Sequence, residues 1–376
     1  MCNCNQSKKL SSELEDILNE ENENSLGFET GHPAQNRNST RHKLSAGKAI
    51  PGTNTIIYPD RTFGYIFHTP QSSVSNELNE IEGEVYDPDK RKAIVNTLRS
   101  PYRWICRLEL DFNGRKGIGT GTLISPRHIL TCGHNLFNNI MWGGAPREAT
   151  AIKVSPGYNC AGKIAAPFGH SFMSKVNYHD NWKTGLNGQY DYGLITLNSA
   201  IGKKQFEILG GKPLGFWGEK VNGDNTRIIP QTTVNLKDKS FNISGYPGDK
   251  CCYLQLAGKD VADLNPDPHK KRINPNLFGD CSTLLSGTRY KGDPFQMWGG
   301  AQFSSFGKIT NPSPAGQPRL ILYDLDTFPG HSGSPLWVRW QQYRNLIAIH
   351  TGSFPPTNNR GIRITEEVMK QVRAWM

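Results

Sequence analysis

The chain has 376 residues, 20% of them charged, and a formal net charge of +10 at pH 7. No apolar stretch approaches the roughly 18 residues that a membrane-spanning helix needs, and eight cysteines in so long a chain do not amount to a disulfide scaffold. Residues 1–84 hold seven of the 43 Lys/Arg and twelve of the 33 Asp/Glu, a net of −5, which leaves +15 for the remainder. That basic remainder carries no aromatic-basic platform or recognition helix, so neither nucleic acid nor a membrane is expected as a partner. Its positive field favours anionic peptides.

In chain order, Met1 to Leu10 is polar and no apolar signal-peptide core follows it, which leaves the compartment open. Cys2 and Cys4 lack a second ligand pair nearby and read as part of a solvated terminus. Ser12 and Glu15 are spaced to cap a short helix, with Leu14, Ile17 and Leu18 as its apolar face. From Asn22 to Thr53 too few large apolar residues occur to offset the entropy of ordering. Residues 1–84 are therefore expected to be a largely irregular extension, with a few extended residues between Ile56 and Phe67.

The body begins near Val85. The chain's 39 glycines and 24 prolines divide short apolar runs, the pattern of an all-β protein. Strands are expected from Tyr102 to Leu110, from Gly117 to Ile124 and from His128 towards His134, with a turn at Ser125-Pro126 between the last two. Another follows Asp191, at Gly193-Leu-Ile-Thr-Leu. In the second half strands are expected at Thr233-Val-Asn-Leu, Phe241 to Gly248, Arg319 to Leu325, Leu346 to His350 and Arg360 to Ile364. Cys252 to about Gly292 reads as a polar insertion. Thr365 caps a closing helix with Glu366 and Glu367 in its first turn, and Val368, Met369, Val372 and Trp375 on its apolar face. The expected architecture is two antiparallel β-barrels, residues 85–215 and 216–376, with a C-terminal helix.

Three motifs carry chemistry. Phe328-Pro-Gly-His-Ser-Gly-Ser-Pro displays Ser332 between Gly330 and Gly333 on a tight turn. A serine hydroxyl is a poor nucleophile until a histidine takes its proton, and that histidine needs a carboxylate to fix its tautomer. His134 ends Ile129-Leu-Thr-Cys-Gly-His, and Asp191 opens Asp191-Tyr-Gly-Leu-Ile-Thr-Leu. The order His134, Asp191, Ser332 is that of chymotrypsin-type hydrolases and differs from the orders of subtilisins and α/β-hydrolases. With His134 and Asp191 in the first barrel and Ser332 in the second, the site falls in the crevice between them.

From about Val85 onward the chain resembles the bacterial glutamyl endopeptidases, a branch of the chymotrypsin-like serine proteases. The resemblance is carried by Thr131-Cys-Gly-His134, Tyr190-Asp-Tyr-Gly, Ile243-Ser-Gly-Tyr-Pro-Gly-Asp-Lys, Asp326-Thr327, the Gly330 to Pro335 turn, Ile349-His350-Thr and Asn359-Arg-Gly-Ile-Arg-Ile-Thr. It implies a serine endopeptidase that acts on polypeptides through an acyl-enzyme and cuts after glutamate, less readily after aspartate. It implies an oxyanion hole formed by the N–H groups of Gly330 and Ser332. His350 and Thr327 would hold the substrate carboxylate, with Ser353 as a further donor. Thr351 to Ser353 would pair with the substrate backbone. No metal or organic cofactor is implied. Asn135 stands where many relatives have cysteine, so a disulfide there is absent or different.

The resemblance also implies a precursor. Glu82-Gly-Glu84 directly precedes Val85. Cleavage after Glu84 would release the acidic head and free an α-amino group at Val85, close to the pocket. Two other readings fit the same motifs: a protease-like chain that binds peptides without turning them over, and an active serine protease of another specificity.

Overall fold

In the computed structural model, the body from residue 90 to 376 is described except for 95, 139–146, 160–164, 220–224, 231–235, 237–238, 249, 253–277, 281–299, 341 and 355–357. Before it, only the backbones of three short strands are described. Lys48–Ala49 pairs with Thr55–Ile57, which pairs with Phe67–His68. The expected helix near Ser12, the strand at Thr233 and most of the insertion after Cys252 lie outside the described residues.

Twelve strands build two barrels. The first comprises β1 (Ile105–Phe112), β2 (Arg115–Leu123), β3 (His128–Thr131), β4 (Ala151–Pro156), β5 (Ser171–Tyr178) and β6 (Gly193–Leu197), closed in the order β1-β2-β3-β6-β5-β4. The second comprises β7 (Ser240–Gly245), β8 (Phe303–Asn311), β9 (Leu320–Tyr323), β10 (Pro335–Trp340), β11 (Tyr343–Phe354) and β12 (Asn358–Arg363). It closes through the β11–β12 pairing in the same relative order, β7-β8-β9-β12-β11-β10. The expected all-β, two-barrel architecture is what the chain adopts. One local expectation fails: Tyr102–Trp104 form a 3-10 turn, and the strand starts only at Ile105. The turn buries the Trp104 ring, whose Nε1 donates to Leu214 O at 2.8 Å.

The barrels share a core. Trp104, at the entrance to β1, meets Trp217 with ring centroids 6.2 Å apart, and Trp217 meets Trp337 of β10 at 5.6 Å. Edge-to-face contacts of this kind add to the area each indole buries. One apolar cluster runs through both barrels, while a smaller one, built on Phe241, Ile243, Ile321, Leu336 and Ile347, lies within the second. The chain also crosses itself at both ends of the body. Lys92–Ala93 pairs with Ser304 and Phe303 of the second barrel before the chain enters the first. After the short helix α1 (Asp180–Gly185) of the first barrel, helix α2 (Glu366–Trp375) follows the second barrel, yet its Trp375 packs on Tyr192 of the first at 5.6 Å. Thr365 Oγ1 accepts the Val368 N–H at 3.2 Å, the expected cap, and Val368, Met369 and Val372 are buried.

Candidate active site

β3 ends at Thr131 and the chain tightens into the 3-10 turn Gly133–Asn135, which carries His134. Asp191 follows another 3-10 turn, Gly188–Tyr190, just before β6. Since β3 and β6 are paired neighbours, with Thr131 opposite Gly193, the two turns meet at one end of the barrel. Asp191 grips His134 at two points. Its Oδ1 accepts the His134 backbone N–H at 2.8 Å, and its Oδ2 accepts from Nδ1 at 2.7 Å. Both side chains are buried. The neutral imidazole therefore holds its proton on Nδ1 and keeps a lone pair on Nε2, the tautomer a general base requires. Burial opposes a charge on His134, but the Asp191 carboxylate outweighs it and raises the imidazole well above its ordinary pKa.

The Ser332 turn needs glycine on both sides. Gly330 has φ +103°, and a Cβ there would lie 2.4 Å from Tyr246 O; Gly333 has φ +86°, and a Cβ would lie 2.1 Å from Thr120 O. The first barrel holds this turn directly. Thr120 of β2 donates its N–H to Ser332 O at 2.8 Å and its Oγ1 to Gly330 O at 2.7 Å. Asn135 Nδ2, beside His134, reaches Ser332 O at 2.9 Å and Thr131 Oγ1 at 2.9 Å. A side-chain amide thus links the base to the nucleophile turn at the position where the resemblance implies a cysteine in many relatives. The Pro329 carbonyl accepts from Gly248 N at 2.7 Å. Among the described residues no acceptor takes the N–H of Gly330 or Ser332.

Among the described residues, too, no hydrogen bond joins Ser332 Oγ to His134. Instead His134 Nε2 faces the Cys132 thiol at 3.4 Å. Catalytic hydrogen bonds in substrate-free sites are commonly long and tighten when substrate binds. Burial raises the Cys132 thiol above its ordinary pKa.

His350 flanks the same turn. Its backbone N–H donates to Ser334 O and its carbonyl accepts from Gly333 N, both at 2.8 Å. Nδ1 lies 2.6 Å from Tyr323 Oη, and that hydroxyl donates to Arg360 O at 2.7 Å. The one hydroxyl proton is committed to Arg360 O, so Nδ1–H must be the donor to Tyr323, and neutral His350 presents a bare lone pair at Nε2. Burial, followed by the nearby His134 and Arg360 charges, pushes His350 down to about 3. Thr327 is fully buried and its Oγ1 finds no partner among the described residues. Ser353 is buried further along β11. Val85, Glu82 and Glu84 lie outside the described residues. The described body starts beside Thr327: Lys90 N donates to Asp326 Oδ2 at 2.8 Å, and the Arg91 guanidinium lies 5.7 Å over the Phe328 ring.

Sequence reasoning assigned no role to Thr120, Tyr323 or Arg360, and it read Asn135 only as a missing cysteine. Arg360, buried at β12, sets its guanidinium against Gly188, where a Cβ would lie 3.3 Å from Nη1. A charged residue inside Asn359-Arg-Gly-Ile-Arg-Ile was a visible signal. Nothing local marks the other three.

The chain is 23% identical to the glutamyl endopeptidase of Bacillus licheniformis over 375 residues, which cover 93% of this chain and 92% of that one. It is 22% identical to an extracellular metalloprotease of Bacillus subtilis over 310 residues, 81% of this chain and 74% of the other. Among solved structures, a Glu endopeptidase matches 77% of this chain and 97% of its own, with a TM-score of 0.51 and 23% identity. The protease Anisep of Arthrobacter nicotinovorans matches at a TM-score of 0.44 and 15% identity, over 75% of this chain and 96% of its own. No family model matches.

Proposed function

We propose that this chain, a relative of glutamyl endopeptidase with the chymotrypsin-like serine protease fold, hydrolyses peptide bonds after glutamate, and less readily after aspartate, through His134, Asp191 and Ser332. The observation that carries the mechanism is the two-point grip of Asp191 on a buried His134 that Asn135 ties to the Ser332 turn. Ser332 Oγ attacks the scissile carbonyl as its proton passes to His134 Nε2. The imidazolium, stabilised by Asp191, returns that proton to the leaving amine. Gly330 and Ser332 N–H receive the oxyanion. Water then repeats the sequence on the acyl-enzyme.

Glutamate preference rests on the relatives' name and on His350, Thr327 and Arg360. A buried hydroxyl without a partner costs free energy until a ligand supplies an acceptor, and Thr327 Oγ1 is such a group. Arg360 lends a positive field. β10 pairs with β11 only as far as Pro335 opposite Ile349, so beyond that residue β10 does not cover the β11 edge. Thr351 to Ser353 can take a substrate strand there. Anchoring of Lys90 and Arg91 against residues 326–328 supports a pocket that lies close to a new N-terminus at Val85.

A peptide library scored for the residue before the cut, with Ser332→Ala as control, tests both levels. Ser332→Ala should lower kcat on the order of 10⁶-fold. Cleavage without glutamate enrichment would overturn the specificity alone. Peptide binding with no turnover would favour a binding module.

A further inference from the structure

Cys132 stands two residues before the general base, and its thiol reaches the nitrogen that base must keep open. Cys132 is buried and in no disulfide. Cys132, His134 and Asp191 bring a sulfur, an imidazole nitrogen and a carboxylate oxygen within 4.8 Å of one another. The separation of the first two is the informative quantity. With Zn–S of about 2.3 Å and Zn–N of about 2.05 Å, a tetrahedral ion sets its sulfur and nitrogen about 3.6 Å apart. The observed Sγ···Nε2 distance is 3.4 Å. The pair's separation thus matches the span of such an ion.

The outer partner is also in place. Metal-bound histidines commonly give their second ring N–H to a carboxylate, which fixes the tautomer and raises the basicity of the ligating nitrogen. Asp191 Oδ2 already accepts from His134 Nδ1 at 2.7 Å. The couple that offers a lone pair to a serine proton offers the same lone pair to a cation. A thiolate beside an imidazole selects Zn²⁺ or Cd²⁺ over Mg²⁺ and Ca²⁺. Access follows from catalysis, because the leaving amine must reach Nε2 from the cleft.

We propose that Cys132 Sγ and His134 Nε2 form an inhibitory site for a thiophilic divalent cation of the zinc class. Binding releases the thiol proton to solvent and forms a metal–sulfur and a metal–nitrogen bond, with no change of oxidation state. Solvent fills the remaining positions. Metal binding and proton acceptance then compete for one lone pair, so the occupied protein cannot activate Ser332. A chelator restores the base.

The site depends on the Cys132–His134 geometry, and the inhibition depends on the proposed protease activity, so both are measured. Full-length Ser332→Ala protein, which cannot digest itself, is titrated with Cd²⁺ and followed by thiolate-to-metal charge-transfer absorption. The same titration is run with Cys132→Ala added, which leaves Cys2 and Cys4 in place. One equivalent of absorption should vanish with Cys132. In the active protein Zn²⁺ should inhibit reversibly, Ca²⁺ and Mg²⁺ should not, and Cys132→Ala should need at least about 10- to 100-fold more Zn²⁺, the loss that even an outer-shell partner causes, each protein scaled to its own metal-free rate. If Cys132→Ala fails to fold, Cys132→Ser keeps the shape with a poor ligand. Equal zinc sensitivity with and without the thiol, or no Cys132-dependent Cd²⁺ band, would overturn the proposal. A protein inactive on every peptide that still shows the band would keep the metal site and lose the protease reading.

Discussion

His350 offers a test of how a carboxylate is held without a charged histidine. Its imidazole sits at about 3, with burial as the leading cause. Charging it near pH 7 means working against about four pH units, roughly 5 kcal/mol. Charge-assisted hydrogen bonds to a substrate carboxylate return about 1.5–3 kcal/mol, which does not cover that cost. The alternative is a tautomer exchange. Tyr323 rotates its O–H from Arg360 O to Nδ1, and the imidazole proton appears on Nε2 as a donor. The sacrificed Tyr323–Arg360 bond is worth about 0.5–1.5 kcal/mol, so exchange wins. The assay is the ratio of kcat/KM for two peptides differing only in Glu or Gln before the cut, measured from about pH 6 to about pH 9, where the glutamate stays ionised. His134 titrates equally for both and cancels. The ratio should be flat. A cationic His350 would make it fall about tenfold per pH unit, and such a slope would falsify the neutral-donor argument. Tyr323→Phe should lower the ratio by only about 2- to 12-fold, the loss of one neutral hydrogen bond. His350→Ala should cut kcat/KM for the glutamyl peptide by roughly 10- to 200-fold, with little change for neutral residues.

Asn135→Ala removes one hydrogen bond across the barrel junction, to Ser332 O, and one within the first barrel, to Thr131 Oγ1, and leaves Ser332 O with Thr120 alone. We expect kcat to fall by about 10- to 100-fold with KM nearly unchanged, from a loss of about 1–3 kcal/mol; a KM effect alone would contradict a positioning role. Because Asp191 raises His134 well above its ordinary value, the acid limb of kcat/KM should lie above about pH 6.5, activity appearing as the proton leaves. Asp191→Asn should move that limb down and lower kcat on the order of 10⁴-fold, measured by pH profiles of both proteins. Glu84→Gln should slow release of residues 1–84 and delay the rise in activity, followed by mass spectrometry beside the Ser332→Ala form. A full-length chain that is fully active and stays uncut would refute the precursor model.

Much of this arrangement was legible because its signals are local. His134, Asp191 and Ser332 each sit in a motif of a few residues at a strand end or tight turn, and β6 matched its apolar run. Four barrel strands escaped notice. β5 has one fully buried residue and is interrupted by a bulge, so little apolar alternation marks it. β8 carries Ser, Gly and Asn and also bulges. β10 begins at Pro335, which a strand accepts only at its first position or an edge, and that proline masked it. β4 has the right alternation in Ile152 and Val154 but spans only six residues. The roles of Asn135, Thr120 and Tyr323 were illegible for another reason. Each depends on a partner brought close by barrel closure, and pairing at that distance leaves no periodicity to read.

The crossing of the chain at both ends of the body bears on how the protein comes into being. Lys92–Ala93, made before the first barrel, finds its pairing partner only in β8. Tyr192 of the first barrel receives its Trp375 cover only from helix α2. Domains generally fold in order as synthesis proceeds, N-terminal first. Here that order is frustrated, because the first barrel lacks its cover until α2 has emerged, and the turn bearing Ser332 is made only after three of the six strands of the second barrel. A translation product that stops before α2 leaves Tyr192 without Trp375 and, on the proposed mechanism, would not assemble a working site.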